Sequence, residues 1–261
     1  MTKVYDNILL EERGAVAILT LNRPQTLNAL TFDMMYEVQD ALAYIEENKR
    51  IRALVFTAAG RGFCSGQDLK NRPEDGRDLV TAVMDCYFKA FKAIRTSRVP
   101  VVMAINGTAA GGGFSLSLVG DILIAARSAK FIQVFSRIGL VPDLGSTYLL
   151  PRAIGRNRAL ELMMTNDPIS ASEAMVLGML NDCVPDDELM PTALDLANRL
   201  AKGPTLALNR TRSLVDKDDE EAFEARFRAE LEIQSDVREK EDAKEGVAAF
   251  LEKREAQFTG R

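Results

Sequence analysis

Residues 101–121 read VVMAINGTAAGGGFSLSLVGD, an apolar run, a short turn, three consecutive glycines and a second apolar stretch. The run at 101–105 predicts a buried strand, and the residues after the glycines are apolar nearly all round, as in a helix inside a core. Glycine lets the backbone approach a ligand closely, and the first N–H groups of a helix lack partners within it. The segment therefore predicts a buried strand, a ligand-facing loop and a buried helix.

A second glycine loop, GFCSGQDL at residues 62–69, follows the strand-like run ALVFT at 53–57. Either loop alone could be a structural turn. Two of them after adjacent buried strands favour a ligand site, because α/β folds bind ligands at the carboxyl ends of strands. Neither has the spacing of a phosphate-binding P-loop or a dinucleotide fingerprint. Two N–H groups aimed at one point would hold a developing oxyanion, so we expect chemistry through an enolate or a tetrahedral intermediate.

The remaining pattern alternates strands and helices over the first half, which predicts an α/β fold with a mostly parallel sheet. Thr31 is the expected N-cap of the first helix, and SASE at 170–173 matches a capping box. DAKE at 242–245 is expected to cap the last helix. Further strands are predicted at 15–21, 122–125 and 131–135, and helices at about 79–96, 147–153, 158–165, 171–177 and 191–201.

The last third reads as helical, so we divide the chain into an α/β core at 1–200 and a helical region for oligomerisation at 201–261. Phe223, Phe227 and Leu231 form an apolar stripe at helical spacing in a charged background. This seam could pack on its own domain or on another subunit, and contact with another subunit is our prediction.

Composition excludes several classes of site. The 261 residues include no histidine, so Ser-His-Asp, Cys-His and His-based metal sites are impossible within the chain. The three cysteines, Cys64, Cys86 and Cys183, form neither a disulfide framework nor a metal cluster. Cys64 is either a nucleophile or, as we favour, a small buried residue beside a tight turn. No metal is expected, and proton transfer falls to Asp, Glu, Lys, Tyr or Cys.

The balance of charge also limits the partners. The net charge is −5 and no basic stripe is visible, which argues against nucleic acid. No apolar run approaches the ~20 residues of a membrane span, and residues 1–14 lack a signal-peptide pattern. We therefore expect a cytoplasmic protein without a membrane partner.

Asp143 is the main candidate for proton transfer. It lies in GLVPDLGST at residues 139–147, after a proline and before a predicted helix. An aspartate there could be an N-cap. Its neighbours Leu140, Val141 and Leu144 are apolar, so its carboxylate could instead be partly desolvated, with a raised pKa suited to a base that then acts as an acid.

Five segments carry a family resemblance: LTLNRPQTLNAL, ALVFTAAGRGFCSGQDL, PVVMAINGTAAGGGFSLSLVGDILIAARSAKF, GLVPDLGSTYLLPRAIG and EGVAAFLEKREAQF. Through them the chain resembles the crotonase superfamily, also called the enoyl-CoA hydratase/isomerase family, along nearly its whole length. The GRGFCxGQDL, AARSAKF, PD-x-G and AQFTG stretches are similar to those of the members of this family that isomerise ring-1,2-epoxyphenylacetyl-CoA in the phenylacetate pathway.

The resemblance implies a repeated ββα spiral core, a helical C-terminal trimerisation region and homotrimers, often paired into hexamers. It implies an acyl-CoA substrate, with coenzyme A as part of the substrate and no separate cofactor. The thioester carbonyl would accept hydrogen bonds from the N–H groups of Gln67 and Gly112. The residues that it places along the coenzyme A moiety are Arg23, Ser65, Asp68, Leu69 and, in the last helix, Lys253.

The departures from the family pattern favour isomerisation. Family hydratases carry two glutamates where this chain has Ser115 and Ser136, while Asp143 occupies the place of the isomerase-type carboxylate. Hydrolytic dehalogenases of the family pair that aspartate with a histidine that is absent here. Two alternatives stay open: a hydratase or thioester hydrolase using Asp68 or Asp85, and a non-catalytic acyl-CoA-binding homologue.

Overall fold

Two β-sheets organise the core of the computed structural model, which describes residues 3–71, 76–217 and 219–261. Seven strands form the larger sheet in the order β1-β2-β3-β4-β6-β8-β11, and four form the smaller in the order β10-β9-β7-β5. The strands are β1 (Lys3–Val4), β2 (Ile8–Arg13), β3 (Val16–Leu21), β4 (Ala53–Ala58), β5 (Gly62–Cys64), β6 (Val101–Ile105), β7 (Thr108–Ala110), β8 (Ile122–Ala126), β9 (Lys130–Ile132), β10 (Ile169–Ser170) and β11 (Asp182–Val184).

From β3 onward the larger sheet is parallel, and β5, β7 and β9 are parallel in the smaller one. The chain visits each sheet in turn. A strand of the larger sheet is followed by a strand of the smaller sheet and then by helix or turn, three times, beginning at β4, β6 and β8. This is the repeated ββα spiral expected of the α/β crotonase-like fold.

Helices cover the outside of the sheets and form the C-terminal part. They are α1 (Phe32–Glu47), α2 (Leu79–Val83), α3 (Lys89–Arg95), α4 (Gly112–Ser117), α5 (Ser146–Ile154), α6 (Arg156–Thr165), α7 (Ala171–Val176), α8 (Leu189–Lys202), α9 (Thr205–Val215), α10 (Asp219–Arg238) and α11 (Glu241–Glu252). A π-helical segment at Met84–Phe88 joins α2 to α3, so the predicted long helix is continuous with one irregular turn. Among the described residues, no helix is long and apolar enough to cross a membrane.

The main core fills the space between the sheets and α1, and α4 lies within it with every residue buried. A second layer packs α8 on the other face of the larger sheet, where Ala193, Ala197 and Ala201 meet small and β-branched strand residues. Two predicted caps are confirmed: Thr31 accepts the N–H of Met34, and Ser170 with Glu173 forms the capping box.

The C-terminal stripe packs differently from our prediction. Phe223 and Phe227 are fully buried within their own chain, against Phe88, Phe91 and Tyr148. Contact with another subunit was the wrong prediction for this stripe, because the aromatic pocket between α3 and α5 already receives it. The division at residue 200 stays a prediction.

Two local predictions were also wrong. The strand predicted at 131–135 ends at Ile132, because Val134 turns into the left-handed region at φ 55° and a 3-10 turn covers Phe135–Ile138. Asp242 does not cap α11, which begins with Lys240 as its N-cap. The Asp242 carboxylate instead accepts the N–H groups of Thr259 and Gly260, so it anchors the C-terminal residues.

Candidate active site

One wall of the site is made of backbone at the ends of β5 and β7, which are hydrogen-bonded neighbours. Beyond β7 the backbone turns at Gly111, whose φ of 51° favours glycine, and α4 begins at Gly112. The Gly112 N–H has no hydrogen-bond partner among the described residues. As the first N–H of a buried helix, it lies at the positive end of the helix dipole.

The second donor of this wall is Gln67. Leu30 pairs with it in a parallel bridge, in which the Leu30 N–H donates to Gly66 and its carbonyl accepts from Asp68. The Gln67 N–H is thereby left without a partner among the described residues. A Cβ placed on Gly112 would lie 3.7 Å from the Gln67 nitrogen, so the two N–H groups are neighbours. Extended pairing with Leu30, not a helix end, orients the Gln67 N–H.

The opposite wall is the loop that carries Asp143. The Ser115 hydroxyl, in the second turn of α4, donates to the Asp143 carbonyl at 2.9 Å. The next residue, Leu144, has a φ of 55°, which is rare for a bulky side chain. Its Cδ1 packs against Gly112, where it would lie 2.8 Å from an added Cβ. Such backbone conformations persist where the surroundings over-determine them, often at functional sites. The loop backbone at Asp143 is therefore held against the helix that supplies one donor.

Asp143 is 7% exposed, and burial raises its pKa to about 7, against opposing effects of a hydrogen bond from Gln234 and of the Arg238 charge. A carboxyl group with a pKa near neutrality can both accept and return a proton. The N-cap of α5 is Gly145. The alternative prediction, that Asp143 is an N-cap, is therefore wrong.

Helix α10 supplies the polar support of this wall. Gln234 donates to Asp143 Oδ2 at 3.2 Å and accepts the Val141 N–H at 3.0 Å. One turn earlier, the buried Glu230 carboxylate accepts the N–H groups of Gly145 at 2.6 Å and Thr147 at 2.8 Å. It caps α5 from another helix. Burial raises the pKa of Glu230 to about 8, despite the hydrogen bonds from Thr147 and Gly145 that lower it.

Both walls face one cavity of about 550 Å³. Gln67, Gly112 and Asp143 all line it, so the structure brings the three predicted residues together. The remaining lining is mainly apolar and comes from the 3-10 turn after β9 and from α11. Its members include Val134, Phe135, Ile138, Leu140, Phe250 and Leu251.

The residues predicted along coenzyme A divide into two groups. Ser65, Asp68 and Leu69 line the same cavity, and Arg23 forms an ion pair with Asp68 at 3.3 Å. Lys253 does not line the cavity. It is not within the last helix but is its C-cap, with a φ of 57°, and lies two residues after Leu251.

The positions of the hydratase glutamates do not face the cavity. Ser115 is buried and bonded to the backbone, and the Ser136 hydroxyl donates to the Met164 carbonyl. Asp85 forms an ion pair with Arg77 at 2.7 Å and is not among the residues that line the cavity. Cys64 is fully buried, and burial raises the pKa of its thiol to about 12. This agrees with the prediction that Cys64 is a small buried residue and not a nucleophile.

Sequence reasoning missed Glu230, Gln234 and Arg238, which α10 places at or beside the cavity. A signal was present. Glu230 and Gln234 each lie three residues after a member of the buried stripe, Phe227 and Leu231. Positions three apart share a helix face, so these polar groups are carried toward the core with the stripe.

Known proteins are similar to this chain in both sequence and fold. Residues 11–261 match the family model described as enoyl-CoA hydratase/isomerase. The 1,2-epoxyphenylacetyl-CoA isomerase of Escherichia coli (strain K12) is 41% identical over 96% of this chain and 97% of its own length. The crotonyl-CoA hydratase of Syntrophomonas wolfei is 32% identical over 98% and 99%.

Among solved structures, the enoyl-CoA hydratase/isomerase from Pseudoalteromonas atlantica T6c superposes with a TM-score of 0.89. It is 31% identical, and the match covers 97% of this chain and all of that one. A family model that spans nearly the whole chain, full-length relatives and a shared fold lead to one conclusion. The chain belongs to the enoyl-CoA hydratase/isomerase family, the crotonases.

Proposed function

We propose that the protein is an acyl-CoA isomerase that moves a double bond, or rearranges a ring epoxide, through an enolate. The observation that carries this proposal is that Asp143 shares one cavity with two backbone N–H groups that have no hydrogen-bond partner within residues 3–71, 76–217 and 219–261. Asp68 also lines the cavity, but it is paired with Arg23. Among the described residues that line the cavity, the site thus offers one desolvated carboxylate, where hydration in this family relies on two.

The Gln67 and Gly112 N–H groups bind the thioester oxygen. Removing a proton from the carbon next to the carbonyl moves the C–H electron pair toward that oxygen, which becomes negative. Fixed donors aimed at the developing charge are typically worth roughly 3–4 kcal/mol each in the transition state. The buried start of α4 adds its dipole in the same direction.

Asp143 carries the proton. For a 3-enoyl-CoA, the carboxylate takes a proton from C2, the dienolate forms, and the carboxylic acid returns the proton to C4. The double bond then lies between C2 and C3. A single group suffices because it is base in the first step and acid in the second.

The acyl group is either a ring 1,2-epoxide of phenylacetyl-CoA or a 3-enoyl chain. The apolar lining suits both, and the likeness to the Escherichia coli isomerase favours the epoxide. Coenzyme A arrives as part of the substrate, along Ser65, Asp68 and Leu69 with Arg23 behind them. No further cofactor or metal is part of the proposal.

Conversion of 3-enoyl-CoA to 2-enoyl-CoA, followed by the ultraviolet band of the conjugated thioester, tests the proposal. The ring epoxide is assayed in parallel by chromatography of its product. We expect the wild type to convert at least one of them, and Asp143→Asn to lose about 10²–10⁴-fold in rate. Full activity of Asp143→Asn would contradict the mechanism. Hydration of 2-enoyl-CoA at a comparable rate would support the hydratase alternative instead.

The proposal extends to assembly and setting. Three exposed apolar side chains on α9 are candidates for the contact between subunits of a homotrimer or a dimer of trimers: Leu206, Leu214 and Val215. Light scattering on the purified protein would give three or six chains, and a monomer would contradict this part. A cytoplasmic role in the breakdown of aromatic or fatty acyl-CoA follows from the family likeness alone.

A further inference from the structure

We propose that Gln234 is a positioning residue for Asp143: its amide fixes which carboxylate oxygen takes the substrate proton and favours the ionised form by donating to the other. This inference rests on the proposed function, because it assigns the base's support. Gln234 lies 91 residues from Asp143 in the chain and is 5% exposed.

The orientation of the Gln234 amide is set by Val141. The Val141 N–H is a donor only, and it lies 3.0 Å from Gln234 Oε1. The amide nitrogen must therefore be the atom that faces Asp143 Oδ2 at 3.2 Å. An ionised carboxylate accepts and cannot donate, so this contact is favourable for the charged form of Asp143 and unfavourable when Oδ2 carries the proton.

The amide cannot swing away without moving the loop. Glu230, one turn earlier on α10, holds Gly145 and Thr147 on the far side of Asp143. Gln234 holds Val141 on the near side. The helix therefore clamps the loop at both ends. A change at Gln234 releases the Val141 end, while Glu230 still holds Gly145 and Thr147 and the Ser115 hydroxyl still holds the Asp143 carbonyl.

Oδ1 is the oxygen that remains for the substrate. No hydrogen bond to it occurs within the described parts of the chain, while Asp143 lines the cavity. With Oδ2 occupied by Gln234, the proton from C2 goes to Oδ1 and is returned from it. The geometry thus assigns one oxygen of the base to chemistry and the other to its support.

Other charged and titratable groups also act on Asp143. Arg238, which like Gln234 lies on α10, favours the ionised form of Asp143, and the Asp143 charge contributes to the raised pKa of Glu230. The Asp143 charge also contributes to the raised pKa of Tyr87 in the π-helical segment. Three further charged groups, Asp68, Lys70 and Arg137, lie on the cavity wall. Removing the Gln234 donor leaves all of these unchanged, so the Asp143 titration should move upward.

The test uses Gln234→Met, which keeps length and apolar bulk and adds no titratable group, but loses both the donor to Asp143 and the acceptor for the Val141 N–H. Its matched control is Ile233→Met, the same new side chain at an exposed neighbouring position. The midpoint of Asp143 is read from carboxyl ¹³C NMR of the full-length protein, with the signal identified by its loss in Asp143→Asn. The acid limb of kcat against pH is measured alongside.

We expect Gln234→Met to raise the Asp143 midpoint by roughly one pH unit, and the acid limb of kcat by the same amount, with Ile233→Met unchanged. Activity should recover toward the wild-type value at high pH. An unmoved midpoint, or a uniform loss of rate with an unmoved limb, would overturn the inference. If Gln234→Met does not fold, Gln234→Glu keeps the acceptor for Val141 and must also raise the midpoint, by a larger amount.

The two hypotheses fail separately. The carboxyl titration needs no turnover, so it judges Gln234 even if no substrate is converted. Retained activity in Asp143→Asn would contradict the proposed function and leave the titration result standing.

Discussion

The two walls of the cavity are built on different principles. The wall that binds the oxyanion is backbone, made by two neighbouring parallel strands and the loops directly after them. The wall that carries the proton depends on side chains, and Asp143 is supported by Glu230 and Gln234 of α10, of which Gln234 lies 91 residues further along the chain. The first wall is stiff because strand pairing fixes it. The second can be tuned, because single side chains set its charge and orientation.

The difference predicts how each wall fails. A change in the backbone wall should remove transition-state stabilisation without changing the pH dependence of the rate. A change in the side-chain wall should move the pH dependence or the stability of the fold. The predictions below use this contrast, from the largest expected effect to the smallest.

Gly112→Ala should break the backbone wall. The added Cβ would lie 2.8 Å from Leu144 Cδ1 and 3.7 Å from the Gln67 nitrogen, so it would crowd the space where the two N–H groups are proposed to meet the thioester oxygen. We expect a loss of about 10²–10³-fold in kcat with an unmoved acid limb, from steady-state kinetics across pH.

Gly62→Ala is the matched control, because its Cβ would meet Leu27 at an ordinary 3.5 Å. An equal loss of kcat in the two variants would indicate that a change in either glycine loop acts through folding. It would contradict a role of the N–H donors in stabilising the transition state.

Glu230→Ala should loosen the side-chain wall. It leaves the buried N–H groups of Gly145 and Thr147 without their acceptor, and it opens space under α5. We expect a decrease of about 2–5 kcal/mol in the free energy of unfolding, measured with urea. Glu232→Ala, on the exposed face of the same helix, should change it little. A stability equal to wild type would show that Glu230 does not hold the loop.

Asp143→Asn should stabilise the fold in a pH-dependent way. Burial raises the folded-state pKa of Asp143 to about 7, above its unfolded value, so wild-type stability from this group is lost as pH rises from about 4 to about 7. Asparagine has no such loss. The free energy of unfolding of Asp143→Asn minus that of the wild type should therefore be about 1–3 kcal/mol larger at pH 8 than at pH 4.5.

Asp195→Asn, at an exposed position of α8, is the control for removing one charge. A difference between Asp143→Asn and wild type that stays constant from pH 4.5 to pH 8 would contradict the desolvated state of the Asp143 carboxylate.

Arg23→Ala should have the smallest effect. Arg23 holds Asp68 and donates to the Ala29 carbonyl, so its loss loosens the loop proposed to bind coenzyme A. We expect KM to rise about three- to tenfold with little change in kcat. Arg50→Ala, at an exposed position outside the cavity lining, should leave both constants near wild type. A large fall in kcat for Arg23→Ala would place this residue closer to the chemistry than proposed.

The same contrast explains what the sequence could predict. A glycine triplet, a second glycine loop and a lone aspartate between apolar residues are local signals, so an oxyanion site at the loops and Asp143 were predicted from the residues, while Gln67 and Gly112 were assigned from the family resemblance. The three-residue strands β5 and β7 were missed, because they lie inside the glycine loops and are too short to show a period. Gln234 and Glu230 were missed because polar residues on a charged helix look solvent-facing until the partner loop is known.

One measurement tests the central claim most directly: exchange of the C2 protons of phenylacetyl-CoA with deuterium oxide, followed by NMR. This thioester can form the enolate but has no double bond to move, so exchange reports the oxyanion wall and Asp143 alone. We predict exchange by the wild type, a loss of about 10²–10⁴-fold in Asp143→Asn, and a loss of about 10²–10³-fold in Gly112→Ala. Equal exchange by all three proteins would contradict the account.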